Sequence, residues 1–500
     1  MVLPVCIEQT RVRMGIRSEH MRLEPLRVLS DDEVRSIHET SLSILSGCGV
    51  KVYNNNMLGF LKDKGLDVDM DKQIVRFSRS AIEDALNSIP ETFEVFGREG
   101  DFRYIIGDGR PKIAAGHNAI FWVDTDTGVT RRSTVADVEL FAHICEQLEC
   151  MDMIGIPVMP QDVKIPMSSL VYGVRAVIEN SKKPVYFSTD NERVNNALID
   201  LVRAAFKGDL QTQVYGISQL SPTSPLYWEE HVINAIMDTV PTGVPLAILP
   251  EPNAGVSAPF TLAGLLTVNN AECLSGLAMI QLLKPGAKVL YANSWTTTDM
   301  RTAAALVGST ETTICRIAGA QLARFYHCPC HTTAPNSDNH AHDEQNSWEK
   351  TFSQFCSVGA GNDLIVNCGM FATGLTCSHE QLLMDEEISA MSLRIAEGVK
   401  VDDDTIAQSL IEEAGPGPAG EQYLTAEHTM QYLRSDEYIL PRVSVRGPRT
   451  AWENAGSRDT YQLSRDKVAD YMDMPRVGIG NDRKAKLDEI VNNFNKSTVE

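Results

Sequence analysis

The residues of this chain best suited to chemistry are uncharged hydrogen-bonding groups and side chains with large ring or thioether surfaces. His117 and Asn118 are examples of the first kind, and Tyr186 is an example of the second. Ring faces attract cations, so the mixture suits a cationic ligand without acidic protons. One aromatic alone is explained more simply as packing, whereas several in equivalent positions favour a ligand. The predicted binding residues are His117, Asn118, Tyr186, Gln219, Glu251, Trp295, Asn336, His340, Met370 and Phe371; no residue is assigned as a catalytic acid, base or nucleophile.

Two of these residues lie in conspicuous surroundings. Glu251 is flanked by Pro250 and Pro252, where a carboxylate could pair with a cationic substrate or with a neighbouring loop. His340 and His342 lie in the polar stretch 336–345. A helix start with Ser337 or Asp338 as its cap would explain one residue of this stretch. It would not explain two histidines, so this stretch is predicted to face a ligand.

The segment 327–331, HCPCH, invites a zinc interpretation, because thiolate and imidazole are zinc ligands. On a strand, Cys328 and Cys330 would point to one face and His331 to the other. Unpaired cysteine is more often a small buried hydrophobic residue. Cys328, Cys330 and His331 are therefore weak metal candidates, and no metal site is predicted.

Short apolar runs, each followed by a helix-like segment, must position these residues. The runs cover residues 112–115, 153–158, 184–188, 213–218, 245–249, 288–293, 329–333 and 364–369. Alternation of strands and helices predicts parallel strands joined by crossover helices. Eight units over about 250 residues predict a (β/α)₈ TIM barrel, in which function belongs to the loops after the strands.

Flanking segments complete the predicted α/β architecture. Residues 1–110 are predicted to form an N-terminal helical and β cap, 111–400 the catalytic barrel, and 401–500 a C-terminal helical extension that packs on it. Helices are predicted over 31–48, 262–283 and 404–413 and from residue 464 onward, with residues 492–500 frayed.

Composition narrows the class of protein. The chain has 500 residues, 43% of them hydrophobic, and a formal net charge of −21, which disfavours a nucleic-acid binder. No run approaches the ~20 apolar residues of a membrane span. Eleven scattered cysteines indicate reduced thiols and a cytoplasmic protein.

Motifs for a bound nucleotide or redox group do not occur. The sequence has no Walker loop, dinucleotide fingerprint, nucleophile elbow or HExxH. Chemistry must therefore come from side chains or from a cofactor that another protein carries.

A family resemblance runs over nearly the whole chain. Residues 249–264, LPEPNAGVSAPFTLAG, closely resemble the trimethylamine:corrinoid methyltransferase family, as do 270–272, 289–301, the pair 343–345 and 348–349, and 29–50. Residues 415–418, GPGP, with 428–429, fit the C-terminal part of that family. The resemblance implies a TIM-barrel enzyme that moves a methyl group from an amine to cob(I)alamin held by a separate corrinoid protein.

The same resemblance bears on the substrate. Trimethylamine enzymes of the family carry pyrrolysine in the barrel, whereas this sequence has standard residues only, with His340 near that position. Members without pyrrolysine are similar to enzymes that demethylate glycine betaine and other quaternary amines. A quaternary ammonium already has a neutral tertiary amine as its leaving group, so it needs no special residue.

The resulting hypothesis is a corrinoid-dependent methyltransferase that acts on glycine betaine or a related betaine, with a corrinoid protein as partner and a homo-oligomeric assembly. Three alternatives stay open. One is a zinc-dependent methyltransferase of the same barrel class, and another is a betaine-binding protein without turnover. The third, an aldolase-type lyase, is weaker because Lys288 begins its strand at the wrong end of the barrel.

Overall fold

A closed barrel of eight parallel strands forms the centre of the protein. The computed structural model describes residues 21–188, 191–417, 422–433, 435 and 437–499. The barrel strands are Lys112–Ala115, Met151–Ile154, Val185–Ser188, Gly216–Leu220, Leu246–Ile248, Val289–Asn293, Cys330–Thr333 and Leu364–Cys368. They pair in the order of the sequence and the eighth pairs with the first. The predicted (β/α)₈ barrel is confirmed, and strands two and four lie a few residues from their predicted ranges.

Each barrel strand is followed by a helix that packs on the outside. These helices are Val135–Gln147, Ser169–Asn180, Glu192–Ala205, Glu230–Thr239, Leu262–Leu283, Thr310–Phe325, Glu344–Gly359 and His379–Glu397. Several begin at a residue whose side chain accepts a hydrogen bond from the first turn, among them Thr134, Ser309 and Ser378. Such caps satisfy backbone N–H groups that a helix leaves unpaired.

A hairpin closes the amino end of the barrel. Strands Phe93–Phe96 and Phe102–Ile106 pair in antiparallel fashion. Phe93, Val95 and Ile106 belong to the same buried cluster as barrel residues such as Met153 and Ala247. The interior is therefore filled from below and is open only at the carboxyl ends of the strands.

The N-terminal segment covers one side of the barrel. It comprises helices Asp31–Gly47, Asn55–Asp63 and Arg79–Asn87 and strands Val50–Val52, Asp67–Asp69 and Ile74–Arg76. A short strand after barrel strand four, Tyr227–Trp228, pairs in parallel with Val50–Val52. The segment is thereby joined to the barrel by backbone hydrogen bonds.

Two small sheets surround the open end. Strands Phe121–Val123, Thr130–Arg132, Met370–Phe371 and Thr376–Cys377 combine the loops after barrel strands one and eight. Strands Thr297–Asp299 and Ala304–Leu306 form a hairpin after strand six. These sheets give the loops of the open end a fixed geometry.

The C-terminal segment consists of helices that run over the barrel. They are Asp403–Ile406, Gln408–Ala414, Gln422–Thr425, Glu427–Tyr432, Arg449–Asn454, Thr460–Met472 and Asn481–Val499. The predicted helix 404–413 is interrupted at Ala407, whose φ is 52°. The prediction of a frayed end at 492–500 is wrong as far as Val499, because Val491 and Phe494 are buried against the barrel helices; Glu500 lies outside the described residues. Among the described helices none is long and apolar enough to cross a membrane.

Candidate active site

The residues that follow the barrel strands lie together at the open, carboxyl end of the barrel. Glu251, three residues past strand five, is exposed to solvent, yet protein surrounds it closely enough to raise its pKa to about 7 by desolvation. His117 and Asn118 follow strand one and are partly accessible in the same way. A side chain that is accessible to solvent and yet has protein on most sides lies on the wall of a recess. This is the end of a TIM barrel at which active sites are found.

Ser188 joins the two residues that follow strand one. The His117 Nε2 atom lies 2.9 Å from the Ser188 Oγ atom. The Asn118 side-chain amide donates to the same oxygen at 2.8 Å and to the Ser188 carbonyl at 3.2 Å. The contact with a carbonyl fixes which end of the amide is the donor, because a carbonyl can only accept. The Asn118 amide oxygen is left buried without a protein partner.

A bulge in strand eight supplies a residue that was missing from the sequence prediction. The pairing register with strand one shifts between Val366 and Cys368, and the residue between them, Asn367, has a φ of 137°. Bulges re-aim side chains next to active sites. The Asn367 amide donates to the Asn336 amide oxygen at 2.9 Å, and Asn336 in turn donates to the Thr333 carbonyl at 3.0 Å. The unusual φ is a signal that only the structure provides.

Tyr186 and His331 are fully buried inside the barrel, beneath its open end. Their rings are stacked, with 5.3 Å between centroids and 10° between planes. The Tyr186 hydroxyl donates to the side-chain oxygen of Gln219. His331 is fully buried and neither ring nitrogen has a protein partner. Tyr186 and Gln219 are thus brought together as predicted, and His331, proposed only as a weak metal candidate, belongs beside them.

The electrostatic character of the cavity is neutral to negative. Burial lowers the pKa of His117 to about 4 and that of His331 to about 3, so both rings are uncharged near neutral pH. No lysine or arginine of the described chain contributes to the pKa of Glu251, His117 or His331. Asp190, which follows strand three, lies outside the described residues.

Three predicted binding residues lie away from this cavity. Trp295 is buried behind strand six, where a Cβ atom on Gly319 would collide with its ring. Phe371 is buried with Val123 and Ala372. Met370 belongs to the packing layer between the barrel and its helices. The predicted cage of aromatic and thioether side chains is therefore not assembled; Tyr186 is the member of that set which lies in the barrel.

The two histidines after strand seven lie in different surroundings. His340 is exposed on its loop. The His342 ring lies 4.6 Å from that of Phe371 and 4.8 Å from that of Tyr461, and its Nε2 atom is 3.1 Å from the Ser378 hydroxyl. His342 thus contacts the C-terminal helix Thr460–Met472, while His340 is free to meet a partner at the surface.

The cysteines of the HCPCH segment do not share a face with His331. Cys328 and Cys330 are buried in the outer packing layer, whereas His331 points into the barrel, paired with Ala292 of strand six. These three residues cannot reach one ion, so the zinc-dependent alternative loses its ligands. Across the described ranges no cluster of three histidine, cysteine or acidic side chains has metal-binding geometry.

The fold defines a class: a (β/α)₈ barrel with Glu251 and neutral hydrogen-bonding side chains at the carboxyl ends of its strands. A family model described as trimethylamine methyltransferase (MTTB) matches residues 7–496, and the chain belongs to this family. It is accordingly an enzyme, a methyltransferase, and the alternatives of a non-catalytic binding protein and a lyase are set aside.

Individual relatives span the same length. A trimethylamine methyltransferase of Desulfitobacterium hafniense strain DCB-2 is 29% identical over 462 residues, which cover 92% of each chain. A glycine betaine methyltransferase of strain Y51 of that species is 27% identical over 434 residues, 86% of this chain and 89% of the relative. The solved monomethylamine methyltransferase of Methanosarcina barkeri superposes with a TM-score of 0.51 at 14% identity over 90% of both chains, a likeness of fold.

Proposed function

We propose that this enzyme moves a methyl group from a quaternary amine to cob(I)alamin held by a separate corrinoid protein. The observation that carries the proposal is Glu251, a carboxylate on the cavity wall without a described cationic partner. A buried or surrounded charge normally has a partner. A permanently charged ammonium supplies one, and it cannot lose its charge by deprotonation.

The reaction requires the protein mainly to position the amine. The quaternary amine gives up a methyl group without the electron pair of its C–N bond, so a neutral tertiary amine leaves. The reduced corrinoid supplies the electron pair for the new bond. Neutral His117 and His331 fit this reaction, because no proton has to be delivered to the departing nitrogen. Orientation of one methyl group towards the open end, with water excluded, then supplies the rate.

Among quaternary amines, glycine betaine or a related betaine is the candidate drawn from the sequence. A relative that shares 27% identity is named glycine betaine methyltransferase, which supports it. His117, Asn118, Asn336 and His340 would hold the carboxylate of such a substrate. Tyr186 and Gln219 would then lie beneath the ammonium group.

The surface around the cavity suits a protein partner. The loops after strands five and six expose Val256, Phe260 and Met300, which are 71%, 60% and 67% accessible. Ile120 and Leu375, on the loops after strands one and eight, are exposed as well. Exposed apolar patches mark interaction sites. We assign this rim, made of these five residues, to the corrinoid protein, because the methyl acceptor must approach the open end.

Self-association is a separate proposal. Helices Glu344–Gly359 and His379–Glu397 expose Trp348, Phe352 and Ile395 on the side that faces away from the barrel. Large apolar side chains exposed close together mark interaction surfaces. Light scattering of the purified protein tests it, and a monomer at micromolar concentration would refute it. A cytoplasmic location stays a prediction.

The main proposal is tested with purified enzyme, chemically reduced cobalamin and a panel of amines. We expect the absorbance of the reduced cobalamin to change on addition of a quaternary amine and to stay unchanged with trimethylamine. Transfer from trimethylamine alone would contradict the proposed substrate class. The matched controls are heat-inactivated enzyme and each amine without enzyme.

A further inference from the structure

We infer that residues 399–440 form an arm that pairs two copies of this chain: the arm of each copy lies across the outer side of helices Glu344–Gly359 and His379–Glu397 of the other copy. The inference rests on the self-association proposed above and deepens it, because it names the segment that holds the copies together. Two apolar surfaces that the described chain leaves uncovered, and the charges beside them, support it.

The outer side of these two helices, here called the flank, is apolar. On helix His379–Glu397 the accessible side chains recur at the spacing of one helix face and are those of Met384, Ile388, Met391 and Ile395. On helix Glu344–Gly359, which packs beside it, Trp348 and Phe352 are one turn apart and are 55% and 64% exposed. The helix after strand three shows the usual pattern, because the side chains that it exposes are charged: Arg193, Asp200 and Arg203.

The arm is the second uncovered surface. None of its described residues is buried, and Val443 is the first buried residue after it. Its exposed apolar side chains include those of Ile411, Leu424, Met430 and Leu433. A segment of about 40 residues cannot build a core of its own, so it depends on another surface.

Hydrogen bonds give the arm a defined shape all the same. The Tyr432 hydroxyl donates to the Asp404 carboxylate at 2.6 Å, and the His428 Nε2 atom lies 3.0 Å from the Asp404 carbonyl oxygen. The beginning and the end of the arm are thereby joined. The arm is therefore a folded unit that exposes its apolar side chains.

Both ends of the arm are attached at one place on the body. Arg22 donates to the Val399 carbonyl, and Arg394 donates to the Glu437 carbonyl at 3.1 Å. These contacts lie at the carboxyl end of helix His379–Glu397, next to Ile395 of the flank. In a (β/α)₈ barrel that end of a helix lies at the amino ends of the strands, opposite the rim assigned to the corrinoid protein. A protein docked on the rim cannot cover the arm, so a second copy is the occupant.

A basic pocket borders the flank. The pocket has a volume of about 400 Å³, and Arg27, Arg35, Arg324 and Phe325 are among the residues that line it, together with Glu24 and Asp31. Arg324 donates to the Ala360 carbonyl, directly after helix Glu344–Gly359, which places the pocket at the end of the flank.

The arm carries the opposite charge. Residues 399–440 contain nine acidic and two basic residues. In the pocket, Arg27 pairs with Asp31, whereas no ion pair between described residues involves Arg35 or Arg324. An acidic arm that lies along the flank brings carboxylates to these guanidinium groups, and such complementarity fixes the register of an interface.

The exposed area is sufficient for a stable pair. At roughly 100 Å² for each exposed apolar side chain, arm and flank together present on the order of 1,000 Å² per copy, against about 800 Å² per partner in a standard interface. Because the arm begins beside the flank, a two-fold axis near Ile395 exchanges both arms at once and closes the pair.

The test measures the dimer dissociation constant of the full chain by analytical ultracentrifugation. We expect Leu424→Asp on the arm and Phe352→Asp on the flank each to weaken the dimer. A loss of about tenfold at each of the two equivalent contacts raises the dissociation constant about 100-fold. Phe102→Asp is the matched control, because Phe102 is exposed on the hairpin and lies outside arm and flank. Methyl transfer to free cob(I)alamin should not change in any of the three variants.

Mixing the two weakened variants tests the exchange itself. In a pair of Leu424→Asp with Phe352→Asp, the intact arm of one copy meets the intact flank of the other, so one of the two contacts is restored. The mixture should therefore form dimers at concentrations at which each variant alone is monomeric. Recovery on mixing also shows that both variants are folded.

Charge reversal tests the pocket. Arg35→Glu should raise the dissociation constant about 3- to 10-fold, the range for an exposed ion pair that is lost twice. Arg203→Glu, on helix Glu192–Ala205, is the matched control and should change nothing.

The outcomes distinguish this inference from the proposal beneath it. A parent protein that is monomeric at micromolar concentration overturns both. A dimer that Leu424→Asp weakens no more than Phe102→Asp, or a mixture without recovery, overturns the arm and leaves self-association standing. Slower transfer to the corrinoid protein in Phe352→Asp, with an unchanged dimer, would assign the flank to that protein instead.

Discussion

His331 stacks flat on Tyr186 at the base of the barrel cavity, 5.3 Å between ring centroids. The contact places an imidazole without protein hydrogen bonds against the phenol that donates to Gln219. The pair belongs to the buried interior of the barrel. It also makes the protein sensitive to acid.

Replacement of His331 by Phe should reduce the loss of folding stability that acidification causes. Burial lowers the pKa of His331 in the folded protein to about 3, against 6.5 for the ordinary side chain. The unfolded chain therefore takes up a proton below pH 6.5 that the folded protein refuses, so stability falls as pH falls. Between pH 6.5 and 5 this costs about 2 kcal/mol, at ~1.4 kcal/mol per unit. Denaturant unfolding at pH 7.5 and 5 measures it, and the exposed His340→Phe variant should keep the full loss.

Replacement of Phe260 by Ser should slow methyl transfer to the corrinoid protein but not to free cob(I)alamin. Phe260 is exposed on the rim assigned to the corrinoid protein. Loss of such an anchor costs ~1–2 kcal/mol, so kcat/KM for the corrinoid protein should fall about 5- to 30-fold. The rate with free cob(I)alamin should not change. Phe102→Ser, 54% exposed on the hairpin at the opposite end of the barrel, is the matched control; equal effects of both variants would remove the rim from the interface.

Replacement of Trp295 by Ala should damage the fold rather than substrate binding. The ring is buried against Gly319 of helix Thr310–Phe325. Truncation of a buried tryptophan costs ~3–5 kcal/mol. We expect a lower midpoint of urea unfolding and, for the enzyme that remains folded, an unchanged KM. A raised KM with normal stability would place the ring in the cavity after all.

At position 367, glycine should give a more stable protein than alanine, the reverse of the usual order in a strand. At a φ of 137°, a residue with a Cβ atom is strained and glycine is not. Both substitutions lose the contact with Asn336, so that loss cancels in the comparison. We expect Asn367→Gly to be about 1 kcal/mol more stable than Asn367→Ala in denaturant unfolding. The opposite order, normal for strands, would show that the bulge relaxes.

The barrel could be predicted because buried parallel strands are continuous apolar runs between amphipathic helices. Strand two shows the limit. The run 153–158 is apolar, but the regular strand ends at Ile154, and beyond it the chain pairs irregularly with the segment after strand one, through a bridge between Ala119 and Val158. An apolar run indicates that a segment is buried, but it does not indicate which residues of the segment form the regular backbone hydrogen bonds of a strand.

The site was predicted less well because position after a strand does not determine the side that a residue faces. Tyr186 is buried inside the barrel, and Glu251 is exposed at its open end. Trp295 lies behind its strand, and the bulge at Asn367 changes the alternation before Met370 and Phe371. His117 and Asn336 are held by the Ser188 hydroxyl and the Asn367 amide, which are distant in sequence, and no local pattern reveals these partners.

The hairpin Phe93–Phe96 with Phe102–Ile106, which plugs the amino end of the barrel, has a kinetic consequence. In the proposed function, the amine would have to enter through the open end before the corrinoid protein covers it, and the demethylated amine would leave only after that protein withdraws. Turnover is then compulsorily ordered, and an excess of the carrier protein should slow the enzyme by trapping it empty.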